Sequence, residues 1–303
     1  MARQWTDPAW QESAHTWIAA ELDRLGIKPT GEIEQPHVRV WSTVMRVPTD
    51  AGDIWFKANM DVLRHEAAMA EIMSRRVPEL VPPLLASDRE SGWMLLADAG
   101  EQLRRIIPRE ESLERWKDVL RDYATIQLAL MDDVDELLAA GAPDLRLVTL
   151  PEKYERLVKE IDAEQRFKDA VPLVAELADQ LAGFGIAETI QHDDLHDGQV
   201  FVRDDRYLVM DWGDACISHP FFTLAVTLNG QIAWGLDDEE NSVDIAPFRD
   251  AYLEPFAARY DVDLVAAVEL ALRLGWASRA VNGHVPGEDD SGARLRFFLD
   301  GRA

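Results

Sequence analysis

Cysteine is almost missing from this chain: Cys216 is the single one in 303 residues. One thiol excludes an intramolecular disulfide and any zinc site built on several cysteines. Basic residues are also few, 31 against 56 acidic ones, for a formal charge of −25. Nucleic acids and anionic membranes are bound through basic patches, so this balance argues against both as partners and leaves room for a cationic small molecule. Long apolar runs are lacking: none reaches the roughly 18 residues of a membrane-spanning helix. The N-terminus carries no signal-peptide pattern, and the expected compartment is the cytoplasm. No internal repeat and no disordered tail stand out. The hydrophobic content of 47% is ample for a core, and the length suits one large domain or two modest ones.

Charge is instead concentrated in one stretch, Gln191 to Ala215. His192, Asp193, Asp194, His196 and Asp197 crowd together, followed by the apolar runs Val200-Phe201-Val202 and Tyr207-Leu208-Val209-Met210. The polar Arg203-Asp204-Asp205-Arg206 between them reads as a hairpin turn. Such a hairpin is expected to bring Gln199 alongside Asp211 at its open end, with Asp194 on the loop leading into that corner. Two carboxylates and an amide oxygen suit a hard cation such as Mg²⁺. They also suit phosphoryl transfer, where one carboxylate orients a hydroxyl and others hold metal.

The rest of the chain changes period once. Asp7 to Leu25 reads as an amphipathic helix with Asp7 as N-cap, Pro8 in the first turn, Gly26 as stop, and Trp10, Ala14, Trp17, Ile18 and Leu22 on one face. His37 to Ala58 alternates and reads as three strands of a meander ending near Lys57. Asp61 to Arg76 reads as a helix with Val62, Glu66, Met69 and Met73 inward and Glu71 on the solvated face with Arg64 and Arg75. An inward carboxylate needs a partner, and Lys57 on the preceding strand is the natural one for Glu66. The proline-bearing Val77 to Ser87 reads as an extended connection, and Gly92 to Asp98 as a last strand with the acid that follows it. Beyond it the period is helical, over Leu113 to Leu130, Pro151 to Ile161, Val171 to Leu181, Asp244 to Tyr260 and Asp263 to Val281. The class is therefore α+β. The acidic runs Asp237-Asp238-Glu239-Glu240 and Glu288-Asp289-Asp290 read as solvated loops. Trp234 and Trp276 read first as packing residues, with stacking on a sugar as the alternative.

The segment HDDLHDGQ, His192 to Gln199, resembles the catalytic loop H-x-D-x-x-x-x-N of the aminoglycoside phosphotransferase family, the protein-kinase-like small-molecule kinases. The usual local form there is H-G-D-L-H-P-G-N. MDWGDA, Met210 to Ala215, resembles that family's counterpart of the kinase D-F-G segment. The resemblance implies a bilobal protein-kinase-like fold, with a small sheet lobe over residues 1–97 and a large helical lobe over 98–303. It implies a hinge near Ala99-Gly100, and for the acidic runs Asp237 to Glu240 and Glu288 to Asp290 it offers a carboxylate lining of the acceptor pocket as the alternative to solvated loops. It makes Asp194 the base or hydroxyl-orienting residue, His192 the brace of the loop, and Gln199 and Asp211 the Mg²⁺ ligands. Lys57, fixed by Glu66, would hold the ATP phosphates. The turn Trp41-Ser42-Thr43 would cover them, without glycine, through Ser42 and Thr43. Three positions depart from the family form: Asp193 for glycine, Asp197 for proline and Gln199 for asparagine. The implied activity is ATP-dependent phosphorylation of a hydroxyl on a small molecule: an aminoglycoside, another antibiotic, a sugar, choline or an amino alcohol. The alternative is a nucleotide-binding, pseudokinase-like protein without turnover. A protein kinase is disfavoured by the missing glycine loop and the missing A-P-E segment.

Overall fold

The computed structural model describes residues 2–239, 241–284 and 290–301. They form two compact units: Met1–Gly100 with Val202–Gly213, and Glu101–Phe201 with the chain from Asp214 onward. The segment Val202–Gly213 thus returns to the first unit, whereas a division at residues 97 and 98 would leave it in the second.

The first unit opens with α1 (Pro8–Leu25). Asp7 caps it by accepting from the amides of Ala9 and Trp10, and Gly26 ends it in the left-handed conformation at φ 71°. Then come β1 (Glu34–Val38), β2 (Ser42–Thr49), β3 (Gly52–Asn59), α2 (His65–Arg76), β4 (Leu84–Asp88) and β5 (Trp93–Ala97). The antiparallel sheet has the order β1-β2-β3-β5-β4. Side chains alternate between its faces. Met45, Val47, Ile54, Phe56 and Leu95 pack with Ala14, Ile18 and Leu22 of α1. Trp10, Trp17 and Trp93 close around Phe56, with ring centroids 5.7 to 6.4 Å from it. Met94 and Leu96 lie on the other face with Ala67 of α2. Lys57 pairs with Met94 in register, so the pleat delivers it to the α2 face.

The extended connection expected before Ser87 contains β4, and β1 lies earlier than the alternation around Val38 and Val40 suggested. The helix expected from Asp61 begins at His65, after a 3-10 turn over Asp61–Leu63. Val62, read as inward, is 69% exposed on that turn.

The second unit contains β6 (Glu101–Gln102), α3 (Leu103–Glu110), α4 (Arg115–Ala129), α5 (Val134–Ala139), α6 (Leu150–Glu160), α7 (Gln165–Lys168), α8 (Val171–Ala182) and β7 (Thr189–Gln191). β8 (Val200–Arg203) and β9 (Arg206–Val209) carry the chain back into the first unit. The turn between them is only Asp204-Asp205, both left-handed, with φ of 51° and 58°. That is the backbone a two-residue hairpin turn requires, and short polar side chains tolerate it. β10 (Cys216–Ser218) then pairs antiparallel with β7, setting Cys216 opposite Gln191. α9 (Ala246–Ala257), α10 (Leu264–Asn282) and α11 (Asp290–Asp300) complete the unit. α10, capped by Asp263, packs against α6, α8 and α11. Asp237, Asp238 and Glu239 are exposed, as a solvated run should be. Glu240, Glu288 and Asp289 lie outside the described residues.

Candidate active site

Lys57 is buried on the α2 face of the sheet and holds two carboxylates. Its Nζ lies 2.6 Å from Glu66 Oε2 and 2.5 Å from Asp211 Oδ1. Glu66 is fixed further by the amide of Trp212, which donates to Oε1 at 2.9 Å, and by Asn59 Nδ2 at 2.5 Å from Oε2. Burial alone would lower the Lys57 pKa, but the charges of Asp211 and Glu66 and their hydrogen bonds outweigh it, and the ammonium is held above its usual range. One ammonium against two carboxylates leaves the cluster with an excess negative charge. Asp211 occupies left-handed backbone at φ 63°, a costly conformation for a residue other than glycine. Its side chain remains 49% exposed. A half-exposed carboxylate beside an excess negative charge has the oxygen chemistry for a hard cation. Among the described residues no group of three or more His, Cys, Asp or Glu is placed to hold a metal by itself. A divalent ion at Asp211 therefore fits only with further oxygens, such as those of water or a phosphate. Behind Lys57 and Glu66 lies a cavity of about 30 Å³ walled by Ala70, Met73, Met94, Leu96 and Met210, room for about one water.

The helical phase is as the sequence requires: Glu66 meets Lys57, and Glu71 does not. Glu71 is half-buried, however, rather than fully solvated. It accepts from Ser87 Oγ at 2.5 Å and pairs with Arg89, and these contacts hold its carboxyl below the usual range, Arg89 contributing most. The expected turn Trp41-Ser42-Thr43 lies earlier than placed. Ser42 and Thr43 begin β2 and are buried. Thr43 Oγ1 donates to the His37 carbonyl at 2.8 Å and accepts from Gln35 Nε2 at 2.9 Å. Its hydroxyl is spent inside the sheet, because a β2 residue facing β1 satisfies its polar group there.

In the second unit the β7–β10 ribbon positions the loop from His192 to Gln199. Gln191, at the end of β7, accepts from the Asp193 amide at 3.0 Å and from Thr223 Oγ1 at 2.7 Å. Its Nε2 donates to Asp193 Oδ1 at 3.0 Å. Tyr123 of α4 accepts from the His192 amide at 2.8 Å, while the Asp194 amide reaches His192 Nδ1 at 3.3 Å. Asp193 replaces a glycine because its own side chain sustains left-handed backbone at φ 64°: Asn282 of α10 donates to its Oδ2 at 2.8 Å. Arg279, one turn earlier on α10, lies 2.5 Å from Asp194 Oδ1 and also donates to the Asp193 carbonyl. Burial works against the Arg279 charge, but Asp193, Asp194 and Asp214 outweigh it and raise its pKa. His196 Nε2 lies 3.6 Å from Asp194 Oδ2, and its Nδ1 accepts from the Gly198 amide at 3.0 Å. Asp197, in place of proline, receives Arg104 of α3 at 3.1 Å. Burial pushes its carboxyl up, yet His196 and Arg104 bring it below the usual value. The Gln199 amide donates to the His196 carbonyl at 2.9 Å.

Lys57, Glu66 and Asp211 are thus assembled within the first unit, and Asp194 and Gln199 belong to the loop of the second. Sequence reasoning missed Arg279, Asn282, Arg104 and Gln191. Arg279 and Asn282 stand three apart on a helix, and their spacing toward α10 carries no hint of a loop 85 residues upstream.

A small antiparallel sheet carrying a lysine–glutamate pair, followed by a helical unit, defines a protein-kinase-like phosphotransferase fold. The chain belongs to the phosphotransferase enzyme family, whose profile matches residues 34–269. Among solved structures it is similar to a macrolide 2′-phosphotransferase type I, at 15% identity, TM-score 0.59 and 97% coverage of both chains. It is also similar to an ethanolamine kinase from Plasmodium vivax, at 11% identity and TM-score 0.63, covering 93% of this chain and 86% of that one. A choline kinase from Streptococcus pneumoniae aligns at 15% identity and TM-score 0.57, covering 95% and 98%. At these identities the likeness shows the fold. No curated protein matches the sequence significantly. No helix among the described residues is long and apolar enough to cross a membrane.

Proposed function

We propose that this phosphotransferase moves the γ-phosphate of ATP to a hydroxyl group of a small molecule, with Asp194 as the residue that meets that hydroxyl. The observation that carries the reading is the buried Lys57–Glu66 pair with the half-exposed Asp211 2.5 Å from the Lys57 ammonium. Phosphoryl transfer proceeds through a loose transition state, so positioning and electrostatics supply most of the catalysis. Lys57 serves the nucleotide phosphates, exchanging Asp211 for a phosphate oxygen while Glu66 keeps its hold. Asp211 is the proposed Mg²⁺ ligand of the first unit, and Gln199 the proposed oxygen donor of the catalytic loop in the second. Bound there, Mg²⁺ would neutralise charge on the phosphates. Asp194 accepts a hydrogen bond from the acceptor hydroxyl and orients its lone pair toward the γ-phosphorus. With Thr43 committed to the sheet, contacts of the β1–β2 turn with phosphate fall to Ser42 and to backbone amides. The macrolide, choline and ethanolamine named for its structural neighbours are all small hydroxyl-bearing acceptors, which supports the acceptor class. The test is nucleotide turnover with Mg²⁺ against a library of small hydroxyl compounds and, separately, protein mixtures. Phosphorylation of a small molecule supports the reading; phosphorylation of protein alone, or none at all, defeats it.

A further inference from the structure

A cavity of about 410 Å³ opens beside Asp194 in the second unit. Its wall bears three arginines, Arg104, Arg279 and Arg294, together with His196, and no carboxylate among the described residues lines it. In a chain with a formal charge of −25, such a lining is the reverse of what composition suggests. The arginines come from three helices, α3, α10 and α11, so no single charged surface stripe accounts for them. Each is seated. Arg279 is fixed by Asp194, Arg104 lies 3.1 Å from Asp197, and Arg294 donates to the Gly283 carbonyl at 2.9 Å. Two glycines make the room: a Cβ on Gly198 would stand 2.2 Å from the Arg104 guanidinium, and one on Gly283 would stand 2.2 Å from that of Arg294. Trp276 and Phe297, edge to face at 4.9 Å, supply an apolar wall.

Resting on the phosphotransferase reading, we infer that the acceptor is an anion: a hydroxyl compound whose carboxylate or phosphate is bound by Arg104 and Arg294, with its carbon skeleton against Trp276 and Phe297. Guanidinium groups present paired donors that match carboxylate and phosphate oxygens. Arg279 and His196, which touch both the cavity and Asp194, place the acceptor's hydroxyl end at that carboxylate. A cationic acceptor would meet guanidinium groups along this wall, whereas the nearest carboxylates, Asp193, Asp194 and Asp197, are already paired with Arg279 and Arg104.

The test uses four probes of one skeleton: glucose, glucosamine, glucuronate and glucose 6-phosphate. Binding is measured by calorimetry without nucleotide, on the full chain and on Arg294→Gln, Arg104→Gln and Arg294→Lys. At least one anion binds about tenfold or more tighter than glucose, glucosamine is weakest, each Gln variant loses most of that preference, and the Lys variant keeps part of it. Comparing glucuronate with glucose 6-phosphate tells the carboxylate source from the phosphate source. Glucosamine binding as tightly as the anions, no saturable binding of either anion, or an anion preference unchanged in both Gln variants overturns the inference. A separate turnover assay with nucleotide and Mg²⁺ keeps the two readings apart: arginine-dependent anion binding with no phosphoryl transfer to any small hydroxyl compound would leave the anion site standing and defeat the phosphotransferase reading. Phosphorylation of glucosamine but of neither anion would do the opposite.

Discussion

The two units each gather their candidate-site acids around one cation largely withdrawn from solvent, and they do it differently. Lys57 lies between Glu66 and Asp211, and Arg279 between Asp193 and Asp194. In each cluster one acid, Asp211 or Asp193, sits on left-handed backbone. A lysine ammonium is a compact charge on a flexible stem, whereas a guanidinium is a rigid fork. In the proposed mechanism Lys57 exchanges one carboxylate for a phosphate without leaving the other. Arg279 grips the Asp193 carbonyl and the Asp194 carboxylate at once, and so fixes where Asp194 stands. One cluster is suited to receive a ligand, the other to hold a side chain for one.

The comparison breaks most visibly at Asp194. Asp194→Ala should lower kcat by about a thousandfold or more, and near-normal turnover with an identified acceptor would remove the residue from its role. Next come the metal positions. Asp211→Asn should abolish Mg²⁺-dependent turnover, since a full charge is lost, while Gln199→Asn should retain or raise it, because the shorter amide matches the usual family geometry. Metal titration of turnover in both variants checks this, and equal loss in the two would show the loop is built around glutamine. Arg279→Met should reduce kcat by about tenfold to a hundredfold, with partial recovery in Arg279→Lys, if the fork positions Asp194. A change in KM for nucleotide alone would place Arg279 elsewhere.

The smallest effect lies in the fold. Asp122 of α4 is half-buried, and burial, helped by the charge of Asp118, raises its pKa from 3.8 to about 6. The folded chain then binds the proton more tightly than the unfolded chain, so stability falls as pH rises from about 4 to 6 and stays lower above that. Asp122→Asn should therefore stabilise above pH 6 by on the order of 1 kcal/mol after solvent screening, a gain that fades toward pH 4. Thermal melts across that range read it directly, and a gain independent of pH would contradict it.

Legibility in the sequence followed the range of the contacts. α1 could be read residue by residue, because Asp7, Pro8 and Gly26 act within one turn of its ends. Lys57 and Glu66 could be paired because the strand's pleat and the helix's phase fix both side chains nine residues apart. The start of α2 could not, since a 3-10 turn satisfies the same apolar pattern until Val62 is seen in solvent. Ser42 and Thr43 were misplaced because the strand boundary depends on register with β1, not on composition. The cluster around Arg279 joins α10 to a loop far upstream, and no local period reports such a contact. The basic lining beside Asp194 is likewise assembled from three helices and runs against the charge of the whole chain.

The division of labour between the two clusters is tested most directly by the nucleotide dissociation constant of two variants measured side by side. Lys57→Met should weaken nucleotide binding by about tenfold or more, while Asp194→Ala should leave it unchanged. Equal weakening in both, or weakening in Asp194→Ala alone, would contradict the assignment of the nucleotide to Lys57 and of the acceptor to Asp194.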